Sequence, residues 1–244
     1  LLSDVNGIDD FESICFLIIQ SGGEALLLFP KTTEFNRRIP KQKFYNHLSV
    51  SPQIKKIFVE QIAAINWTNK LAPTTLNVKS GERVTEIEVF HLLLNQKGLD
   101  ERVLQLIDKE IPYHILFELE YEGQIQVWIG YKEESQTKAE ILKVNRYYHT
   151  DWLLKDKIHF EIDGLNMDAL YEGFIKRIAG DNLTINVNES VGTAILRTEE
   201  KEKLDKKISA LEKKLYREKQ FNRQVQLNAE LKALRNKLEE LDNG

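Results

Sequence analysis

YHILFELEYEGQIQVWIGY, residues 113–131, is the stretch that decides the fold. Two segments rich in aromatic and branched residues flank Glu122-Gly123, a pattern typical of two strands joined by a tight β-hairpin. If Tyr121 pairs with Gln124, both faces of the hairpin are largely apolar. One face carries Leu116, Val127 and Ile129, and the other carries Ile115, Phe117, Leu119 and Trp128. The hairpin is therefore expected at the centre of a sheet covered on both sides, or covered on one side with the other used for partner contact.

The segments around the hairpin predict an α+β fold with a mainly antiparallel sheet. Ser51-Pro52 gives a helix N-cap and a proline at the first helical position, and the apolar spacing continues this helix to about residues 67–70. The order of the remaining predicted elements shows neither strict βα alternation nor internal repeats. They are strands at 84–94, 113–121, 124–131, 141–148 and 158–162, and helices at 99–110 and 167–178.

A charged tail with a leucine seam, residues 193–244, follows the α+β domain of residues 30–192. The seam has two blocks of heptad-like spacing, which predict helices that bury their leucines against another helix. The second block is two residues out of register with the first. This shift predicts either a disturbed continuous coiled coil or a helical hairpin that turns near residues 220–223. The seam consists of Leu204, Ile208, Leu211, Leu215, Leu227, Leu231, Leu234, Leu238 and Leu241.

Residues 1–29 form an N-terminal extension in this interpretation. Their two apolar runs are too short to span a bilayer, and no basic segment precedes them as in a signal peptide. The extension is either an added element or the product of a start assigned too early. In the second case Gly22-Gly23-Glu24 is a translated ribosome-binding site and the start lies at Leu26, Leu27 or Leu28.

Composition narrows the classes of protein. With 42% hydrophobic and 30% charged residues in 244, the chain is an ordinary globular protein with one sizeable core and an appendage. The single Cys15 excludes an internal disulfide and fits a reducing cytoplasm. The net charge is −4, yet residues 197–244 carry 13 Lys or Arg against 10 Asp or Glu, so the body is acidic and the tail slightly basic.

No catalytic motif stands out, and the sequence predicts no cofactor and no metal site. A phosphate-binding glycine loop is missing, and the five histidines lack spacing for a shared metal. A metal-dependent nuclease is an alternative, because such enzymes hold a divalent ion with acidic residues and a lysine on adjoining strands. Solvated strand faces explain the same pattern. The candidates are Glu86, Glu88, Glu118, Glu120 and Lys132.

Two basic clusters are candidates for nucleic-acid contact. The first lies in the predicted loop after Phe35 and contains Arg37, Arg38, Lys41 and Lys43, with Phe44 and Tyr45 beside them. The second is a stripe in the tail, made of Lys213, Lys214, Arg217, Lys219 and Arg223. Cations mixed with aromatic rings can hold phosphates and bases, although ordinary solvated surface has the same composition.

Several stretches together resemble a prokaryotic family known as domain of unknown function 4391, over about residues 28–241. They are residues 30–41, 69–75, 108–114, 128–132 and 219–224. The resemblance implies a cytoplasmic protein often encoded beside helicases and DNA methyltransferases in defence-type gene clusters, and it supplies no catalytic residue. We therefore expect an accessory or adaptor protein of a DNA-processing, anti-phage assembly that binds a partner, or a second copy, through its tail. Of the two basic clusters, the first (Arg37, Arg38, Lys41 and Lys43) is the one expected to contact nucleic acid. The alternatives are the nuclease and a purely structural homo-oligomer.

Overall fold

The computed structural model describes residues 29–46, 50–135, 138–155 and 162–243. The chain forms two compact units, Leu1–Tyr171 and Glu172–Gly244. The N-terminal extension and most of the strand predicted at 158–162 lie outside the described residues. Within the described ranges, every helix is too short or too polar to span a bilayer.

The first unit is built on a mixed, mostly antiparallel sheet, and this confirms the predicted α+β class. The strands are β1 (Glu34–Arg38), β2 (Ile62–Leu71), β3 (Ile87–Leu94), β4 (His114–Tyr121), β5 (Gln124–Ser135), β6 (Lys138–His149) and β7 (Leu153–Leu154). They lie in the order β1-β2-β3-β4-β5-β6, with β7 paired to β5, and the pairing of β3 with β4 is parallel. A parallel pair needs a crossover, which the helix Glu101–Glu110 supplies between β3 and β4.

The described residues contain seven α-helices. Two short 3-10 turns lie at Lys31–Thr33 and Gly180–Asn182. Those of the first unit are α1 (Gln42–Asn46), α2 (Pro52–Gln61), α3 (Pro73–Leu76) and α4 (Glu101–Glu110). The boundary between the units falls within α5 (Met167–Ala179), and the second unit contains α6 (Val191–Arg217) and α7 (Phe221–Asn243). The predicted N-cap of α2 is present, since Ser51 Oγ accepts from Ile54 N at 3.3 Å. Asp100, which the sequence did not single out, caps α4 by accepting from Arg102 N at 3.0 Å.

The central hairpin has the predicted register. Tyr121 pairs with Gln124, and Phe117 pairs with Trp128. Six consecutive β4 residues from His114 are buried, because one side of the strand packs in a cluster with α2 and α4 and the other side is covered as well. The cluster on the α4 side includes Phe58, Ile65, Phe90, Leu92, Leu104, Ile107, Ile115, Phe117 and Leu119.

The helix predicted from Pro52 ends early. It stops at Gln61, and the chain continues as β2, so the prediction of helix to residues 67–70 is wrong. The reason is a β-bulge: Ile62 pairs with Leu94 while Ile65 pairs with Leu92, so three residues of β2 match two of β3. A bulge adds one residue to the strand's period of two and produces the spacing of three that a helix shows.

The tail is a helical hairpin, one of the two predicted arrangements. Helices α6 and α7 contact each other, and Leu204, Ile208, Leu227 and Leu231 are buried. Ion pairs between the helices join Glu200 to Lys237 at 2.6 Å and Glu212 to Arg235 at 2.7 Å. These four seam residues are therefore buried within the chain, the other five are partly buried, and residues 218–220 connect the helices.

Candidate functional site

The structure divides the predicted acidic residues between the two faces of the sheet. Glu88 pairs with Ile115, so its side chain lies on the α4 face, and Glu86 two residues earlier lies on the same side. Glu118 and Glu120 alternate with Ile115 and therefore belong to the opposite face. The five candidates do not form one constellation.

Glu86 and Glu88 form a carboxyl pair beside a lysine that sequence reasoning missed. Lys70 Nζ lies 2.5 Å from Glu86 Oε2, and Lys70 pairs with Glu88 across β2 and β3. Glu88 is only 1% exposed, and its carboxyl group interacts with the Glu86 carboxyl and with the Trp67 indole. The indole N–H of Trp67, which is close to Glu88, donates to Asn69 O at 3.1 Å.

Electrostatics follow from this arrangement. Burial, with the adjacent Glu86 carboxyl, raises the pKa of Glu88 to about 9, and the ammonium of Lys70 opposes the rise. The loop that leads to the pair is fixed by Asp168 of α5, whose carboxylate accepts from Glu82 N at 2.7 Å and Val84 N at 2.8 Å. These hydrogen bonds fix the backbone immediately before β3, where the pair lies.

On the opposite face, Glu118 is buried and Glu120 is engaged by a histidine. His91 Nε2 lies 2.7 Å from Glu120 Oε2, and Lys155 Nζ lies 3.9 Å from the same oxygen. Glu118 is 2% exposed, and burial raises its pKa to about 7, with Lys155 opposing and Glu120 reinforcing the shift. The interpretation of these glutamates as solvated strand faces is therefore wrong for Glu118 and for Glu88.

Lys132 belongs to a buried network with Asp108, a residue that the sequence did not single out. Its Nζ lies 2.7 Å from Asp108 Oδ1 and also donates to the carbonyl of Tyr113, and the Tyr147 hydroxyl donates to Asp108 Oδ2. Burial lowers the pKa of Lys132 and raises that of Asp108, while the attraction within the pair opposes both shifts. The lysine therefore ties β5 to α4 and does not reach Glu118.

A β-bulge at Tyr131 and Lys132 completes this network. The Tyr171 hydroxyl accepts from Lys132 N at 3.0 Å and donates to Gly130 O at 2.5 Å. The ring of Tyr171 also contacts His114, with centroids 4.3 Å apart. A bulge leaves backbone groups without ladder partners, and a buried hydroxyl that pairs with them removes that cost. The network is consistent with a structural role.

The cations of the first basic cluster lie on different elements and do not form one surface. Arg37 and Arg38 lie in β1, at the edge of the sheet, and not in a loop as predicted. The Arg37 guanidinium covers the Phe35 ring at 4.3 Å. Lys41 donates to Ile62 O at 2.5 Å at the end of α2, and Lys43 lies on α1. Lys41 is therefore used in holding the end of a helix.

The second basic cluster surrounds the tip of the α6–α7 hairpin, which we define as residues 212–225. Tyr216 is 93% exposed and Phe221 75% exposed, one on each side of the connection. Five cations lie among them in the sequence, Lys213, Lys214, Arg217, Lys219 and Arg223. The hairpin tip thus combines exposed rings with positive charge.

Both acids of the hairpin tip have internal partners. Glu212 pairs with Arg235, and the Glu218 carboxylate accepts from Lys219 N at 2.9 Å and Gln220 N at 3.0 Å. In the described part of the hairpin, Lys213, Lys214 and Lys219 take part in no ion pair. A shallow groove of about 350 Å³ is lined by Ala210, Lys213, Lys214, Arg217 and Glu218. Lys213, Lys214 and Lys219 are therefore available to an anionic partner.

One family model matches most of this chain. The model of domain of unknown function 4391 (DUF4391) matches residues 27–238. The chain belongs to the DUF4391 family. This match confirms the resemblance seen in the sequence, and it includes both the sheet and the helical hairpin. No curated protein and no solved structure matches this DUF4391 chain. Among its described residues, no group of three or more His, Cys, Asp or Glu side chains converges as a metal site would require.

Proposed function

We propose that this protein is a cytoplasmic accessory subunit of a DNA-processing assembly, with the hairpin tip as its nucleic-acid contact. The observation that carries the proposal is that two exposed aromatic rings, Tyr216 and Phe221, lie on the same tip as lysines that form no ion pair in the described part of the hairpin. Proteins that bind single-stranded nucleic acid combine phosphate-binding cations with rings on which bases stack.

The buried seam supports this role over docking through the leucines. Leu204, Ile208, Leu227 and Leu231 already pack within the hairpin, so a partner helix would have to displace them. The exposed apolar side chains of the hairpin tip, including Val225 at its edge, remain free to meet another molecule. The first unit would then bind the catalytic subunit of the assembly, which we propose to be a helicase or a DNA methyltransferase.

Charge removal at the hairpin tip tests the nucleic-acid contact. We expect the intact chain to bind a fluorescein-labelled single strand of about 20 nucleotides, with an affinity that falls as salt rises. Lys213→Gln with Lys214→Gln should reduce the salt slope by about 1.4, since each neutralised phosphate contributes about 0.7 for single strands. Fluorescence anisotropy across a salt series measures both quantities.

The matched control is Lys206→Gln with Lys207→Gln, two exposed lysines on the same helix outside the tip. It removes the same charge and should leave the slope unchanged. Tyr216→Ala should weaken binding about 5-fold to 100-fold if a base stacks on the ring. Equal losses in the two lysine pairs would mean that the tip has no special part, and a duplex bound as tightly as the single strand would contradict stacking.

Capture from the native host tests the assembly itself. The intact chain, isolated after nuclease treatment, is expected to bring a helicase or DNA methyltransferase that mass spectrometry identifies. Nuclease treatment removes partners held only through shared nucleic acid. Recovery of the chain alone, in multiple copies, would contradict the accessory role and favour the structural homo-oligomer.

A further inference from the structure

The two exposed rings of the hairpin tip lie at one end of the α6–α7 hairpin. Tyr216 is the last residue but one of α6, and Phe221 is the first residue of α7. Tyr216 is 93% exposed and Phe221 75% exposed, so the described chain covers neither ring. Phenylalanine is among the residues most often buried, and tyrosine is usually partly buried. Two uncovered rings at one place therefore indicate a surface that meets another molecule.

Hydrogen bonds within the connection hold the rings at that end. The Glu218 carboxylate accepts from Lys219 N and Gln220 N, and the Gln224 side-chain amide donates to the Glu218 carbonyl at 2.7 Å. The second bond ties the end of α6 to the first turn of α7. Phe221 therefore lies on a hydrogen-bonded turn between two helices, and its position does not depend on a long loop.

We infer that the hairpin tip binds the junction between a duplex and a single strand, with a ring stacked on the last base pair. The inference deepens the proposed nucleic-acid contact and depends on it. Proteins that bind long single strands stack successive bases on rings along a groove. The hairpin tip instead presents two rings at one end of a helix pair. Two rings can stack on only one or two bases, and a junction offers that number.

The cost of unstacking favours a junction over the interior of a duplex. An apolar side chain that enters a base step must first separate the two stacked pairs. At a junction the last base pair already has one free face, so a ring can stack on it without that cost. A ring of Tyr216 or Phe221 should therefore contact the end of a duplex and not its middle.

The distribution of positive charge fits the two strands that leave a junction. Lys213 and Lys214 lie on α6, Lys219 lies in the connection, and Arg223 lies on α7. Positive charge is thus present on both helices, with the rings between them along the chain. Phosphate contacts position a protein on nucleic acid without reading its sequence. A blunt duplex end has a free base-pair face but lacks the departing strands.

Fluorescence anisotropy with three probes that share one fluorescein-labelled strand tests the inference. The probes are the single strand, a blunt duplex, and a fork in which the duplex continues as two non-complementary arms. We expect the intact chain to bind the fork about 5-fold to 100-fold tighter than the single strand, the range that stacking on a ring gives. The blunt duplex should bind most weakly. The preference for the fork should persist as salt rises, because stacking releases no counterions.

Ring variants and a base analogue locate the contact. Tyr216→Ala combined with Phe221→Ala should remove the preference for the fork, whereas Tyr216→Phe should keep it because the ring remains. With 2-aminopurine at the last base pair of the fork, the intact chain should change the fluorescence of the analogue, which depends on stacking. The same analogue in the middle of the duplex should show no change. Circular dichroism of each variant establishes that the helices are kept.

Lys213→Gln with Lys214→Gln is the matched control, because it removes phosphate contacts and no ring. It should weaken binding to the fork and to the single strand together and leave their ratio unchanged. Equal affinities for these two probes, a blunt duplex bound as tightly as the fork, or a fork preference that survives loss of both rings would overturn the junction inference and leave the nucleic-acid contact standing. No binding to any of the three probes would overturn both.

Discussion

Replacing Lys132 by methionine is expected to lower the free energy of unfolding of the first unit by about 3–5 kcal/mol. The substitution keeps an unbranched side chain, shorter by one atom, and removes the ammonium that lies 2.7 Å from Asp108 Oδ1. Asp108 is then a buried carboxylate with the Tyr147 hydroxyl as its donor. Urea unfolding followed by tryptophan fluorescence measures the loss, and Trp67, Trp128 and Trp152 all lie in this unit.

Two companion variants identify the cause of that loss. Lys132→Met combined with Asp108→Asn should recover much of the stability, because the remaining amide carries no charge to be buried. The single variant should also lose less at low pH, where the unpaired Asp108 takes up a proton. Arg102→Gln breaks an exposed ion pair with Asp100 and should change stability little. If Lys132→Met lowered the free energy of unfolding as little as Arg102→Gln, the buried pair would not contribute to the stability of the fold.

The sequence predicted the elements whose periodicity is regular. Residues 113–131 alternate on both faces, and their register in the structure is the one that Tyr121 and Gln124 imply. The seam of the tail predicted two helices with a possible turn, because its leucines change register between Leu215 and Leu227. The sequence did not indicate what ends the first helix, because residues 218–220 contain no glycine or proline. The Glu218 carboxylate, which accepts from two backbone N–H groups, starts the second helix instead.

Other features depended on contacts that periodicity does not report. The bulge in β2 gave Ile62 and Ile65 a helical spacing, and only their pairing with β3 reveals a strand. The alternation of residues along each strand assigned Glu88 and Glu118 each to one face of its strand. It could not show that both faces of the sheet are covered. Nothing in the sequence distinguishes Asp108 from an ordinary helix residue or Lys70 from an ordinary surface lysine. Their partners, Lys132 and Glu86, lie on other elements that only the fold brings close. Long-range pairing therefore determines the charged sites of this fold.

Glu118 is expected to make the first unit less stable as the pH rises from about 4.5 to about 7. Its pKa is about 7 in the folded protein against an ordinary 4.5, because burial disfavours the carboxylate. Between these values the folded state binds more protons than the unfolded state, so the free energy of unfolding falls with pH. A pKa difference of this size corresponds to about 3 kcal/mol, which is lost once the pH is above 7.

Glu118→Gln isolates this effect, because the amide has nearly the same shape and does not ionise. At pH 4.5 both proteins carry a neutral group at this position, and their urea midpoints should be similar. At pH 8 the variant should be more stable by up to about 3 kcal/mol. Glu88 also titrates with a raised pKa, but it is present in both proteins and cancels in the difference. A difference that stays constant with pH would mean that Glu118 is already ionised in the fold, with Lys155 as the balancing charge.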